Sequence, residues 1–277
     1  MAGVDLTGVD LVGELALALE LADIADAATL PHFRSSTLRV DHKDDDSEVT
    51  VADRNSEAAI RARLTAERPD HAVLGEEEGL IGPQGATARW IIDPVDGTSN
   101  YVRGIPIWAS LIALEVDGAL VVGVASAPAL GRRWWAARGL GAFADGDRIG
   151  VSAVADLAEA HLAYSDVGSF YDHGHGDALV DLSRRVWRAR GVGDFWMHVL
   201  VAEGSVDVAA ETSVDLWDLA APSLIVEEAG GRFTDLSGRP GPEGGSALST
   251  NGLLHEDALR VLGPDVKGGD HASHGGD

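Results

Sequence analysis

Leu11, Leu15, Leu19 and Ala22, interleaved with Leu17, Leu21, Ile24 and Ala28, recur at three- and four-residue spacings. That period predicts a long helix with one buried face, stopped at Pro31. A second helix is predicted over 57–67, with Ile60 and Leu64 on one face and Arg68-Pro69 at its end. Ala72-Val73-Leu74 and Trp90-Ile91-Ile92 are short apolar runs of the kind that form buried strands. Segments 107–116 and 119–125 flank Asp117-Gly118 and predict a hairpin, with a further strand over 132–137. Beyond about residue 150 strands alternate with helices: Leu162-Ala163-Tyr164, then segments 178–188, 195–203, 206–210 and 219–229. Gly230-Gly231 closes the last helix and Arg232-Phe233-Thr234 resumes a strand. From 266 to 277 Gly, His and Asp dominate without periodicity, which predicts a disordered tail. The expectation is a fold of layered helices and sheets, one domain over 1–265 in two coupled halves of about 1–145 and 146–265.

Composition narrows the function. Among 277 residues, 45 acidic side chains face 21 Lys+Arg, a formal net charge of -24. Such acidity argues against nucleic acid or an anionic membrane as partner, because both are bound through Lys and Arg. With no cysteine, disulfides, thiolate metal sites and cysteine nucleophiles are all excluded. The run 119–130 is too short to span a bilayer and contains Pro128, and Met1–Asp5 carries no basic signal-peptide region. A cytoplasmic protein is the expectation.

The candidate chemistry lies in carboxylates placed where apolar runs end. Gly75-Glu76-Glu77-Glu78 follows one strand and Asp93-Pro94-Val95-Asp96-Gly97-Thr98 follows another. Trp217-Asp218 precedes the helix at Leu219, and Asp53 opens the second helix. Strand ends present groups to a cleft on a rigid frame. Hard divalent cations such as Mg²⁺ take carboxylate and carbonyl oxygens, and Asp93, Asp96 and the Val95 carbonyl can converge on neighbouring ions. Gly97 allows close approach to an anion, and the Thr98 hydroxyl can orient a water. Each piece also has a plain structural reading: an Asp before a helix is ordinarily a cap, a Glu run a solvated loop, Asp-Gly a turn.

Taken together, Gly-Glu-Glu, the Asp93–Tyr101 string about fifteen residues on, and Trp217-Asp218-Leu219-Ala220-Ala221 resemble the magnesium-dependent inositol monophosphatase-like family of phosphoesterases. The order and spacing match from Asp53 to Gly231. Segments 106–114, 126–139 and 190–195 look like the histidinol-phosphate phosphatases of actinobacteria within that family. The resemblance implies an alternating αβαβα sandwich, a homodimer, and two or three Mg²⁺ ions per site. It implies that Glu76, Asp93, the Val95 carbonyl, Asp96 and Asp218 hold metal, with Glu77 in or next to that set and Asp53 at an outer position. Glu76, Thr98 and Asp53 would orient and deprotonate the attacking water. Gly97 and Thr98 would meet the phosphate, with Asn100 and Arg190 near the phosphate or an imidazole. Asp194 and Glu211 would face the alcohol, and Asp218 is implied among the substrate-binding residues as well.

The implied reaction is hydrolysis of L-histidinol phosphate in histidine biosynthesis; the alcohol's amine and imidazole suit Asp194 and Glu211. The structural alternative for Asp194 is a helix cap. Rival readings are an inositol 1-phosphate, sugar or nucleotide phosphatase on the same machinery, and a non-catalytic scaffold. Two departures stand out: Ser47-Glu48-Val49-Thr50 replaces an Asp-x-Val-Thr string near the outer metal position, and Pro222 sits early in a helix, where a local distortion at most is expected. Asp41–Asp46 matches a calcium loop only in part, since Lys43 takes a ligand position. The Arg184–Arg190 island and His173, His175, His271 and His274 are read as surface, loop or tail residues.

Overall fold

The computed structural model describes residues 8–43 and 47–263. Met1–Asp5, the tail expected over 266–277 with His271 and His274, and Asp44–Asp46 of the partial calcium-loop pattern lie outside the described residues. Helix α1 (Leu11–Thr29) is capped by Asp10, whose Oδ1 accepts the Gly13 N–H at 3.0 Å. A 3₁₀ turn carrying Pro31 follows it, Leu30–His32. The small hairpin β1 (Val40–His42) and β2 (Glu48–Thr50) leads into α2 (Val51–Glu67). Next come β3 (Ala72–Gly75), β4 (Gly79–Ile81), β5 (Ala88–Asp96) and the short α3 (Thr98–Val102). A meander follows: β6 (Ala109–Val116), β7 (Ala119–Ala127), β8 (Arg132–Ala137), β9 (Gly141–Ala144) and β10 (Asp147–Arg148). The second half contains β11 (His161–Tyr164), α4 (Val167–Asp172), α5 (Gly176–Arg185), β12 (Arg188–Gly191), α6 (Asp194–Ala202) and β13 (Val208–Thr212). It ends with α7 (Leu216–Glu228), β14 (Arg232–Thr234), β15 (Ser246–Thr250) and α8 (His255–Leu262).

Two sheets organise these elements. The larger runs β10-β9-β8-β7-β6-β5-β3-β4, antiparallel except for the β3–β5 pair. The smaller runs β12-β11-β13-β15-β14, with β11 parallel to both β12 and β13. Three apolar clusters glue five layers. Leu17, Leu21, Ile60 and Leu64 of α1 and α2 pack on Trp90, Ile92, Ile112 and Leu114. On the opposite face of the same strands, Ile91, Leu111 and Ala113 meet Phe195 and Val199 of α6 and Leu224 and Ile225 of α7, which also cover Ala163 and Ala209 of the smaller sheet. Val208, Ala210 and Leu248 face outward to Phe170, Leu182 and Ala258. The architecture is the alternating αβαβα sandwich, and it explains the unbroken apolar runs: strands buried on both faces show no polar alternation.

Several boundaries differ from expectation. Helix α2 begins at Val51 rather than 57, because its first turn is polar and held by a Thr50–Asp53 capping box instead of apolar periodicity. Segment 178–188 divides into a helix ending at Arg185 and the edge strand β12. Helix α7 starts before Asp218, which puts Pro222 well inside it; the helix continues through Pro222 to Glu228. Among the described residues no helix is long and apolar enough to cross a membrane.

Candidate active site

The Asp93–Asp96 string is part of strand β5 and not a turn after it. Asp93 pairs with Leu111 and Asp96 with Ala109, so three steps along β5 oppose two along β6. In a regular strand residues i and i+3 point to opposite faces; the extra residue of this bulge brings both carboxylates to one side. Pro94, which has no N–H to give the ladder, sits inside the bulge, and the Ser110 hydroxyl donates to its carbonyl at 2.7 Å. Asp93 Oδ1 accepts the Val95 N–H at 2.9 Å, and Asp96 Oδ2 accepts the Phe195 N–H of α6 at 2.7 Å. The turn to α3 is made by Gly97 at φ 81°, a left-handed conformation that favours glycine.

Asp218 arrives from the start of α7, where one carboxylate oxygen accepts the Asp215 N–H at 2.8 Å. Asp93, Asp96 and Asp218 each offer an oxygen within 4.8 Å of the others. Burial, then mutual repulsion, raises Asp93 and Asp96 well above the usual carboxylate range. Asp218 is pushed up to about 7, again chiefly by burial. Asp53 occupies the equivalent place at the start of α2: Oδ2 accepts the Thr50 N–H at 2.9 Å while Oδ1 faces the Thr98 hydroxyl at 3.3 Å. Burial raises Asp53 as well. Thr98 Oγ1 also lies 2.9 Å from the Val95 carbonyl.

Glu76 and Glu77 are held on the β3–β4 turn by a residue that sequence reasoning missed. The buried Glu57 of α2 accepts the N–H groups of Glu77 at 2.8 Å and Glu78 at 3.0 Å. Arg61, one turn on, binds Glu57 at 2.8 Å and donates to the carbonyls of Val73 and Gly79. A Cβ at residue 75 would overlap the Glu57 carboxylate, which accounts for Gly75. The signal was the i, i+4 Glu–Arg pair on the second helix. Lys43, set aside with the partial calcium loop, places its ammonium 2.7 Å from both Glu76 and Glu77. Burial lowers it, but the two glutamates outweigh burial and hold it above the ordinary lysine range.

These carboxylates border a cleft of about 350 Å³ between the two sheets. Glu76, Asp93, Val95, Asp96, Gly97, Thr98, Asp194, Glu211 and Asp218 all line it. Asp53 lies beneath Thr98, and Glu77 turns to Lys43. Asn100 reaches the cleft only through Asp194, whose Oδ2 accepts its amide at 2.7 Å. Arg190 does not reach it: on the edge strand β12 the exposed guanidinium donates to the Ala189 carbonyl. Asp194 is not the cap of α6, a place taken by Gly193; its own backbone is left-handed at φ 53°, an uncommon conformation of the sort that accumulates at functional sites. Burial, then Glu211, raises Asp194 to about 6. Ser165, Asp166, Ser169 and Thr212 are among the further lining residues, unmarked in the sequence because no local pattern surrounds them.

An all-oxygen donor set, buried and mutually repelling, fits a hard divalent cation and not a soft one. The Lys43 ammonium seated between Glu76 and Glu77 shows that this pair of carboxylates already takes a cationic partner.

Comparison with known proteins places the chain in a family. The inositol monophosphatase family matches residues 12–264. Histidinol-phosphatase of Mycobacterium tuberculosis is 53% identical over 255 residues, covering 90% of this chain and 97% of that one. Histidinol-phosphatase of Streptomyces coelicolor is 49% identical over 262 residues, covering 91% and 98%. Among solved structures, the extragenic suppressor protein SuhB of Bartonella henselae superposes with a TM-score of 0.84 at 30% identity, covering 92% of this chain and all of that one. On the match along nearly its whole length, the chain belongs to the inositol monophosphatase family of phosphomonoester hydrolases.

Proposed function

We propose that this protein hydrolyses L-histidinol phosphate to L-histidinol and phosphate, a step of histidine biosynthesis, with Mg²⁺ as cofactor. The observation that carries the reading is the charge of the cleft. Besides the Asp93, Asp96 and Asp218 cluster it is lined by Asp166, Asp194 and Glu211, and among the described lining residues none is basic. A phosphate dianion is repelled by such a wall unless cations stand between, and the alcohol that suits the remaining carboxylates is a cationic one. Histidinol, with its amine and imidazole, has that character; inositol does not. The histidinol-phosphatases of Mycobacterium tuberculosis and Streptomyces coelicolor, at 53% and 49% identity, support the same choice.

Asp93, Asp96, Asp218, Glu76 and the Val95 carbonyl would hold the cation set, with Glu77 and Asp53 at its outer edge. Bound there, Mg²⁺ would neutralise the phosphate charge and make water a better nucleophile at neutral pH. The chain's own part is positioning and proton transfer. The Thr98 hydroxyl, between Asp53 Oδ1 and the Val95 carbonyl, can take a proton from the attacking water and pass its own to Asp53. Glu76 orients the same water, and the backbone N–H groups of Gly97 and Thr98 are offered to the phosphate.

The test is a panel of phosphate esters assayed with Mg²⁺. Histidinol phosphate is expected to exceed inositol 1-phosphate by at least about tenfold in kcat/KM, with activity lost on chelation. Faster turnover of inositol 1-phosphate would overturn the substrate assignment, and no turnover of any ester would favour a non-catalytic role.

A further inference from the structure

One buried group in contact with the cleft wall has no part in the chemistry above. His198 lies on α6 one turn after Asp194, so the two share a face of that helix. Its ring is 1% exposed and both nitrogens are engaged: Nε2 lies 2.8 Å from Glu211 Oε1 on β13, and Nδ1 lies 2.7 Å from the Ser249 hydroxyl on β15. Phe233 of β14 packs beside the ring at 5.8 Å. The sheet register explains the convergence. Ser249 pairs with Ala209 and Ala247 with Glu211, so Glu211 and Ser249 stand two residues apart on the face that α6 covers. A ring with its hydrogen on Nε2 donates to Glu211 and accepts from Ser249 at once.

Glutamate is a long side chain with three rotatable bonds, and Glu211 is 5% exposed on a central strand. Left alone, such a carboxylate has to find another partner or turn away from the cleft. The histidine fixes one oxygen and so fixes the plane of the other. Unlike a lysine or arginine in its place, a ring donating a single N–H need not cancel the negative charge it orients. Asp194, carried on the same helix, is held from its other side by Asn100 at 2.7 Å.

We infer that His198 is a positioning residue that holds Glu211 beside Asp194 to receive the alcohol part of the substrate, and that it sets the enzyme's preference for cationic phosphate esters. The inference rests on the reading of this cleft as a phosphatase site for a cationic alcohol.

His198→Ala, His198→Gln and Ser249→Ala test it, with KM and kcat measured at saturating Mg²⁺ for L-histidinol phosphate, inositol 1-phosphate and p-nitrophenyl phosphate. His198→Ala is expected to raise KM for histidinol phosphate about ten- to hundredfold, the usual weight of a hydrogen bond to a charged group. Its kinetics on p-nitrophenyl phosphate, which has no cationic alcohol to place, should stay within about twofold. His198→Gln, which can return an N–H to Glu211, should recover most of the loss. Equal losses on both esters, no loss, or no recovery with His198→Gln would overturn the inference. Should His198→Ala fail to fold, Ser249→Ala, which frees the ring without removing it, carries the same comparison with a smaller KM effect. A wild type that turns over inositol 1-phosphate and not histidinol phosphate would sink the proposed function. The positioning role would then stand or fall on whether the His198 variants lose affinity for the preferred ester selectively over p-nitrophenyl phosphate.

Discussion

Asp53 and Asp218 each do two things at once. Both occupy the third position of a helix, both give one oxygen to the backbone N–H of the residue that caps it, and both turn the other side of the carboxylate to the site. Capping and ligation are therefore not rival readings of these residues, since a carboxylate has enough lone pairs for both. The helix starts they share also bring the positive ends of two backbone dipoles to a crowded set of anions. That crowding has a measurable consequence. Asp218 is raised from 3.8 to about 7, so the folded state without cations binds a proton that the unfolded chain has already released. The stability held below pH 4 is lost as pH rises through about 7. Asp218→Asn keeps an oxygen for the Asp215 N–H and removes the titration. In EDTA, the variant is expected to melt with the wild type near pH 4 and above it at pH 8. Melting curves that run parallel across that range would contradict the raised titration of Asp218.

At the scale of elements, the site depends on joints between them. The turn after β3 is tied to another element: the N–H groups of Glu77 and Glu78 are taken by Glu57 from α2, about twenty residues earlier in the chain. Glu57→Ala would leave the buried Arg61 without its close carboxylate, with only the Val73 and Gly79 carbonyls and the more distant Glu78 beside it, and two N–H groups without their acceptor, at a cost of about 3–5 kcal/mol. Denaturant titration measures this, and Mg²⁺ affinity by calorimetry should fall as the turn bearing Glu76 loosens. A loss under about 1 kcal/mol would mean that the turn holds itself. This joint also shows what kind of feature could be read from sequence. The strands around Trp90-Ile91-Ile92 and Leu162-Ala163-Tyr164, and the long first helix, were legible because burial alone determines their pattern. The first turn of α2, the edge strand β12 and the links Glu57–Glu77 and His198–Glu211 were not. The two links join polar partners distant in the chain, and the start of α2 is set by a polar cap, Thr50–Asp53, so no apolar period records any of them. The β5 bulge is intermediate: Asp-Pro-Val-Asp was visible as a motif, but the register shift that puts both carboxylates on one side depends on pairing with β6.

At the scale of the whole molecule, α6 and α7 lie between the sheets and belong to one core with both, so the cleft is built from the two halves together. β5 carries Asp93 and Asp96 from the larger sheet, α7 brings Asp218, and Glu211 comes from the smaller sheet. Asp96 marks the junction, since its Oδ2 accepts the first N–H after Asp194 on α6. The net charge of -24 argues against polyanionic partners, and part of it is concentrated at this junction, in a cleft with no basic side chain among its described lining residues. The claim that this cluster is the catalytic centre is tested most directly by phosphate release from histidinol phosphate at saturating Mg²⁺, comparing wild type with Asp96→Asn after circular dichroism has shown both to be folded. Asparagine keeps an oxygen for the Phe195 N–H while removing the charge that would hold the cation. Turnover is predicted to fall on the order of a thousandfold, the equivalent of several kcal/mol of lost transition-state stabilisation. A folded variant with activity near that of the wild type would contradict the account.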